Sequence, residues 1–144
     1  MDQLTITKEE FNTIFRNIDE KKIQMLSKNI IEKRKKQILE DVLYDENELD
    51  LYLEKLELYR FVDEIDEINL GSYIRWFNIK TVELSKLTNG GFIIDIKYQN
   101  NNIILVCKNT MNRIFSLKLE ECIIFQKLSK QEELIIEILD YIGS

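Results

Sequence analysis

The stretch that decides the fold runs from Gly71 to Leu128 and reads GSYIRWFNIKTVELSKLTNGGFIIDIKYQNNNIILVCKNTMNRIFSLKLEECIIFQKL. Its clearest pattern is FIIDIKY at 92–98, in which Asp95 and Lys97 alternate with apolar residues. A period of two is typical of a β-strand with one face in the core and the other in water. We therefore expect four side chains of this segment in the core: Phe92, Ile94, Ile96 and Tyr98.

Turn-forming residues divide this stretch into short strands. Asn89-Gly90-Gly91 and Asn100-Asn101-Asn102 supply residues that accept a positive φ, and further turns are expected at 109–112 and 120–121. The strands predicted between the turns are 72–79, 82–86, 92–98, 103–108, 113–119 and 122–127. Five or six short antiparallel strands at this spacing indicate a small SH3-like β-barrel.

Helical sequence precedes the barrel. Thr7 to Glu10 reads as a capping box that opens a short first helix. Apolar residues at helical spacing then predict a helical hairpin with arms near 20–43 and 46–69, joined by a turn in which Asp45 caps the second arm. Gly71 is expected to end the hairpin.

A final helix is predicted after the barrel. Ser129 to Glu132 forms a second capping box, and an apolar stripe runs from there to Ile142. We expect this helix to close the open end of the barrel. The sequence thus predicts an α+β chain with a helical arm at 1–70 and a small β-barrel with a C-terminal helix at 71–144.

Composition limits the possible functions. The 144 residues contain no histidine and only two cysteines, so the commonest general base, the commonest metal ligand and a disulfide framework are all missing. The sequence also lacks the glycine-rich phosphate-binding and nucleophile-elbow motifs. We therefore predict no enzyme activity, no catalytic residues, no cofactor and no metal.

Charge is distributed unevenly along the chain, whose net charge is −6. Residues 41–70 contain far more acidic than basic side chains, whereas 71–129 have a basic excess. The acidic segment either pairs with the basic one, within one molecule or between molecules, or is simply a solvated helix face.

One candidate binding site is the strand that begins at Ser72. Tyr73, Arg75 and Phe77 share one strand face, and Ile74 and Trp76 share the other. If the second pair fills the core, the first set is exposed and suited to stacking on bases, with the guanidinium on a phosphate. The alternative is that Arg75 lies over an aromatic ring and bonds a helix carboxylate.

A second candidate is the basic run Lys33, Arg34, Lys35 and Lys36. Such a run suits a phosphate or RNA contact, but four consecutive residues of a helix fan around its axis. The alternative is a solvated helical turn.

Three short motifs carry a resemblance. Gly71-Ser72-Tyr73-Ile74-Arg75-Trp76, then Gly90-Gly91-Phe92-Ile93, then Ile123-Ile124-Phe125-Gln126-Lys127 occur in order. Over 71–128 the chain resembles small uncharacterised proteins of large DNA viruses of protists and algae. The resemblance implies a viral origin and a role in the virion or its assembly.

These observations favour a non-enzymatic structural or assembly protein. Its partner would be another protein or a second copy, contacted through the helical arm and the barrel, and a nucleic-acid-binding module is the alternative. No run of 18 apolar residues and no secretory signal occurs, so we expect no membrane span and an intracellular location, in the host cytoplasm or a virion if the protein is viral.

Overall fold

The computed structural model describes residues 7–9, 25–43, 45–79 and 86–143, which form an α+β fold. Within them lie three helices and an antiparallel sheet of six strands. The helices are α1 (Lys28–Val42), α2 (Asn47–Lys55) and α3 (Lys130–Gly143). The strands are β1 (Tyr59–Val62), β2 (Tyr73–Asn78), β3 (Gly91–Gln99), β4 (Asn102–Lys108), β5 (Ile114–Lys118) and β6 (Cys122–Lys127).

Side-chain caps fix the starts of two helices. Asp45 Oδ1 accepts the Asn47 N–H at 2.9 Å at the start of α2. At the start of α3, Ser129 Oγ accepts the Glu132 N–H and Glu132 Oε1 accepts the Ser129 N–H, both at 3.1 Å. The reciprocal pair satisfies two backbone donors that the helix itself leaves unpaired. The caps predicted at Asp45 and at Ser129–Glu132 and the C-terminal helix are confirmed, whereas the capping box predicted at Thr7–Glu10 includes Glu10, which lies outside the described residues.

The chain divides into two compact units, Met1–Leu53 with Leu128–Ser144, and Glu54–Lys127. The sequence predicts a single division, between residues 70 and 71. In the first unit, Leu26 and Ile31 form a buried apolar cluster with Ile135 of α3. The amphipathic stripe of α3 is therefore buried within this unit, as its 3.6-residue period predicts.

The second unit is the sheet, with strand order β1-β6-β2-β3-β4-β5. A closed barrel was expected, but the described strands leave the sheet open, with β1 and β5 at its edges. One edge of β6 pairs with β2, and β1 pairs with the other edge, to which β5 would have to pair to close a barrel. The sheet is nevertheless strongly curled. The rings of Trp76 on β2 and Phe115 on β5 lie 5.4 Å apart, although two strands separate them.

A β-bulge changes the predicted core face of β3. Ile93 pairs with Cys107 and Asp95 with Val106, so Ile94 is an extra residue in β3. The alternation shifts by one at this point, and Ile93 and Ile96 enter the core. The expectation of Phe92, Ile94 and Tyr98 in the core was therefore wrong, since all three are exposed.

The predicted helical hairpin is also corrected. The second arm was placed at 46–69, but α2 ends at Lys55 and residues 59–62 form β1. The reason is tertiary: β1 pairs with β6, and Val62 enters the core of the sheet. Gly71 has φ +85° but follows a loop and not a helix. The predicted first helix beyond Glu9, the start of the first arm and most of the strand at 82–86 lie outside the described residues.

Candidate binding surface

The two faces of the sheet differ in what they carry. The inner face is the apolar core, built on buried side chains including Ile74, Ile93, Leu105 and Ile124. Residues that alternate with these lie on the opposite, outer face. Part of the outer face is also buried, because Phe125 lies 6.0 Å from Phe61 and 6.1 Å from Phe77 between ring centroids. The rest presents side chains to solvent.

One line of outer-face residues crosses all six strands, and we name it the transverse row. Tyr59 of β1 pairs with Lys127 of β6, and Tyr73 of β2 pairs with Phe92 of β3. Phe92 also pairs with Lys108 of β4, which pairs with Ile114 of β5. The β2–β6 register, in which Ile74 pairs with Gln126, places Tyr73 next to Lys127. The row therefore consists of Tyr59, Lys127, Tyr73, Phe92, Lys108 and Ile114.

Arg75 lies beside the aromatic end of this row. Its Nε donates to the Thr88 carbonyl at 2.8 Å, and the Tyr73 hydroxyl donates to the Asn89 carbonyl at 2.5 Å. Burial raises the pKa of the Tyr59 hydroxyl, Arg75 lowers it and Tyr73 raises it, with a net increase. The strand register places Tyr59 on one side of β6 and Tyr73 and Arg75 on the other, which makes the three residues neighbours.

The other end of the row is apolar and exposed. Phe92 is 46% exposed and contacts the Tyr73 ring edge-on, with centroids 4.9 Å apart. Ile114 is 65% exposed, and the turn before it carries Met111, which is also exposed. The charges within the row are the two lysines, and the row contains no carboxylate. Lys108 lies between Phe92 and Ile114 and is half-buried. Exposed apolar side chains gathered on one face, here with lysines among them, are typical of an interaction surface.

The structure separates the residues of the predicted aromatic strand. Ile74 and Trp76 contribute to the inner core, as expected. Tyr73 and Arg75 are half-buried at the transverse row. Phe77, however, is buried against Phe125 and is not available to stack on a base. The alternative prediction was that Arg75 bonds a carboxylate of a helix. In the described part of the chain, its guanidinium instead donates a hydrogen bond to the Thr88 carbonyl.

The predicted basic run does not form one surface. Lys33 and Lys36 are exposed, Arg34 is half-buried and Lys35 is fully buried. Lys35 Nζ lies 3.2 Å from Glu32 Oε1, and Lys36 Nζ lies 3.9 Å from Glu40 Oε1. Lys35 cannot contact an external phosphate because it is buried. The run is split between interior and surface because consecutive residues of a helix point in different directions.

Most of the transverse row was missed from the sequence. Phe92 had been assigned to the core, and no role had been given to Tyr59, Lys108, Ile114 or Lys127. No local signal marks these four, because they come from different strands and meet only through strand register. The bulge at Ile94 could have been suspected from the run Phe92-Ile93-Ile94, whose three apolar residues fit no strict alternation.

Chemically reactive groups are not concentrated at the row. Cys107 and Cys122 are free thiols, and burial raises the pKa of each to about 11. Over the described ranges, no group of three or more His, Cys, Asp or Glu residues could hold a metal ion. In the same ranges, no helix has the length and hydropathy needed to cross a membrane.

Comparison with protein-family models, with curated protein sequences and with solved structures gives no significant match.

Proposed function

We propose that the protein is a non-enzymatic assembly protein whose transverse row binds a protein partner. The observation that carries this proposal is the row itself, a line of aromatic, aliphatic and lysine side chains across six strands. Three of them, Phe92, Ile114 and Lys127, are exposed, and the other three are half-buried. Aromatic and aliphatic anchors supply most of the energy of protein interfaces, while charges at the fringe select the partner. The partner surface that fits is apolar with acidic groups around it.

A nucleic acid is the less favoured ligand of the same face. Tyr73, Arg75 and the row lysines supply rings and cations suited to single strands. The far end, however, is aliphatic at Ile114 and Met111, and aliphatic side chains give bases no ring to stack on. The two residues that would have strengthened nucleic-acid binding, Phe77 and Lys35, are both buried.

We also propose that the sheet is a partly open SH3-like barrel, on the basis of its strand order and its curl. The four strands β2 to β5 form a meander, and β6 returns to pair with β2. A short 3₁₀ turn at Leu119–Glu121 precedes β6, and the curl brings Trp76 to Phe115. Small barrels of this kind serve many unrelated binding functions, so the fold does not name the partner. The resemblance to viral proteins adds the proposal that the partner is a component of a virion or of its assembly machinery.

A peptide selection with a matched control tests the binding proposal. Displayed random peptides are selected on the full chain, and their affinities are then measured for the wild type, Phe92→Ser and Tyr98→Ser. Tyr98 is the control because it is an exposed aromatic side chain outside the row. We expect peptides rich in Asp, Glu and apolar residues, with a Kd that rises roughly tenfold or more for Phe92→Ser and little for Tyr98→Ser.

The competing ligand is tested with the same three proteins. Single-stranded oligonucleotides are titrated at two salt concentrations, since phosphate contacts make affinity fall with salt. Salt-sensitive oligonucleotide binding that Phe92→Ser abolishes, together with no peptide enrichment, would replace the protein partner with a nucleic acid.

A further inference from the structure

The edge strand β5 offers backbone groups that the sheet does not use. Across the β4–β5 turn, the Asn109 N–H donates to the Arg113 carbonyl at 3.0 Å. Hydrogen-bonded and non-hydrogen-bonded pairs alternate along an antiparallel ladder. Because Asn109 and Arg113 are a hydrogen-bonded pair, the next bonded pairs in this register are Cys107 with Phe115 and Leu105 with Leu117.

The intervening residues of β5 must therefore direct their backbone groups outward. Ile114, Ser116 and Lys118 each present an N–H and a C=O at the free edge, and all three residues are exposed. The Lys118 carbonyl accepts the first bond of the 3₁₀ turn at Leu119–Glu121, and within the described residues the structure gives the other five groups no protein partner. The strand carries neither a proline nor a bulge, two devices that commonly protect an edge from pairing.

We propose that β5 pairs antiparallel with β5 of a second copy, about a two-fold axis at Ser116. In this register Ser116 faces Ser116 of the second copy, and Ile114 faces its Lys118. The N–H and C=O groups of Ile114 and Ser116 and the N–H of Lys118 then find partners on the second copy, and no two like charges lie directly opposite. On the inner side, Phe115 of each copy lies opposite Leu117 of the other, which covers two half-buried core side chains.

Charge complementarity favours a second copy over an unrelated strand. Arg113 precedes β5, and Glu120 and Glu121 follow it. The proposed two-fold places Arg113 of one copy opposite Leu119 of the other, next to its Glu120. Each dimer thus contains two symmetric contacts between a guanidinium and an acidic turn. Because the basic and the acidic group both belong to this chain, a second copy provides the complementary charges.

The dimer rests on the proposed assembly function but uses the backbone edge of β5, which shares only Ile114 with the transverse row. Phe92 of the transverse row lies two strands away from the β5 edge. The Phe92→Ser protein should therefore dimerise as the wild type does, while an edge variant should retain peptide binding. Failure of one proposal leaves the other open to its own test.

Sedimentation velocity across a dilution series tests the dimer with the full chain. Wild type and Ser116→Ala should form a concentration-dependent dimer, because alanine keeps the outward N–H. Ser116→Pro removes this N–H without touching the bonds to β4, and its dimer Kd should rise roughly tenfold or more. Circular dichroism shows whether the proline variant is folded. A wild type that stays monomeric at all concentrations, or equal Kd values for the alanine and proline variants, would overturn the proposal.

A charge exchange tests the register and needs no proline. Arg113→Glu alone and Glu120→Arg alone each place like charges together in a homodimer, so each should dimerise more weakly than the wild type. An equimolar mixture restores both opposite-charge contacts and should form the heterodimer. A mixture no more dimeric than its components would overturn the proposed register.

Discussion

Gln126 on β6, which is fully buried, donates from Nε2 to the backbone carbonyl of Glu67 at 3.1 Å. Its Oε1 accepts the Asn69 N–H at 2.9 Å, so one side chain satisfies a donor and an acceptor of the same loop. Arg60, which pairs with Gln126 across the strands, donates from Nη2 to the same Glu67 carbonyl at 2.9 Å. Backbone groups of the acidic loop 63–70 thus tie it to two side chains of the sheet, Arg60 and Gln126.

Replacing Gln126 should destabilise the sheet unit. Gln126→Leu has a similar volume but leaves the Asn69 N–H and the Glu67 carbonyl with fewer partners in a buried place. We expect a loss of about 2 kcal/mol in the free energy of unfolding, measured by urea denaturation. Gln131→Leu on the exposed surface of α3 is the control and should change stability by less than about 0.5 kcal/mol. Equal values for the two variants would contradict the bridging role of Gln126.

Gly90 should not tolerate a side chain. Its φ is +100°, and an added Cβ would lie against the Ile74 carbonyl and the Tyr73 ring. We expect Gly90→Ala to cost about 2 kcal/mol or more of stability, from backbone strain and the close backbone contact together. Gly143→Ala, where an added Cβ meets open space, is the matched control and should be neutral or slightly stabilising. A Gly90→Ala protein with the wild-type melting temperature would refute this account.

The two thiols should react slowly in the folded protein. For Cys107 the raised pKa comes from burial and then from the neighbouring Cys122, and for Cys122 from burial and then from Glu121. Because the thiolate is the reactive form, a pKa of about 11 lowers its population at pH 8. We expect iodoacetamide labelling at pH 8 to be roughly a hundredfold slower for the folded chain than for the urea-unfolded chain. Comparable rates would show that the thiols are exposed.

The raised pKa values of the two thiols also predict that the folded protein is less stable at alkaline pH. The folded state holds its thiol protons up to about pH 11, whereas the unfolded chain releases them near its ordinary value of about 8.5. Stability is therefore fully present below pH 8.5 and is lost as the pH rises toward 11. Urea midpoints measured at pH 8, 9 and 10 should decline, and the decline should be smaller in Cys122→Ala. An identical decline in that variant would assign the effect to other groups.

Substitutions of Lys35 and Lys33 should have very different effects on stability, although the two residues lie only two positions apart. Lys35 is buried beside Glu32, so Lys35→Gln should lower the unfolding free energy by about 2 kcal/mol. Lys33→Gln changes an exposed side chain and should leave stability within about 0.5 kcal/mol of the wild type. Thermal melts provide the comparison. A Lys35→Gln protein that is stable but binds polyanions more weakly would restore the binding role predicted from the basic run.

Local sequence determined much of this fold. Asn100 and Asn101 have φ of 50° and 64°, which suits the tight turn that the asparagine run predicted. The strands at 103–108 and 122–127 and the helix after Ser129 occur within one residue of their predicted starts. Turn chemistry, capping and periodicity act over a few residues, so they can be recognised without knowledge of the partner strands.

The tertiary structure decided the remaining features. β1 is a strand because β6, some 60 residues later, offers it an edge, and the bulge at Ile94 selects Ile93 and Ile96 for the core. The transverse row likewise exists only through the register of six strands. The physical reason is common to all three: pairing between distant segments sets which face of each strand is buried, and a shift of one residue exchanges the faces.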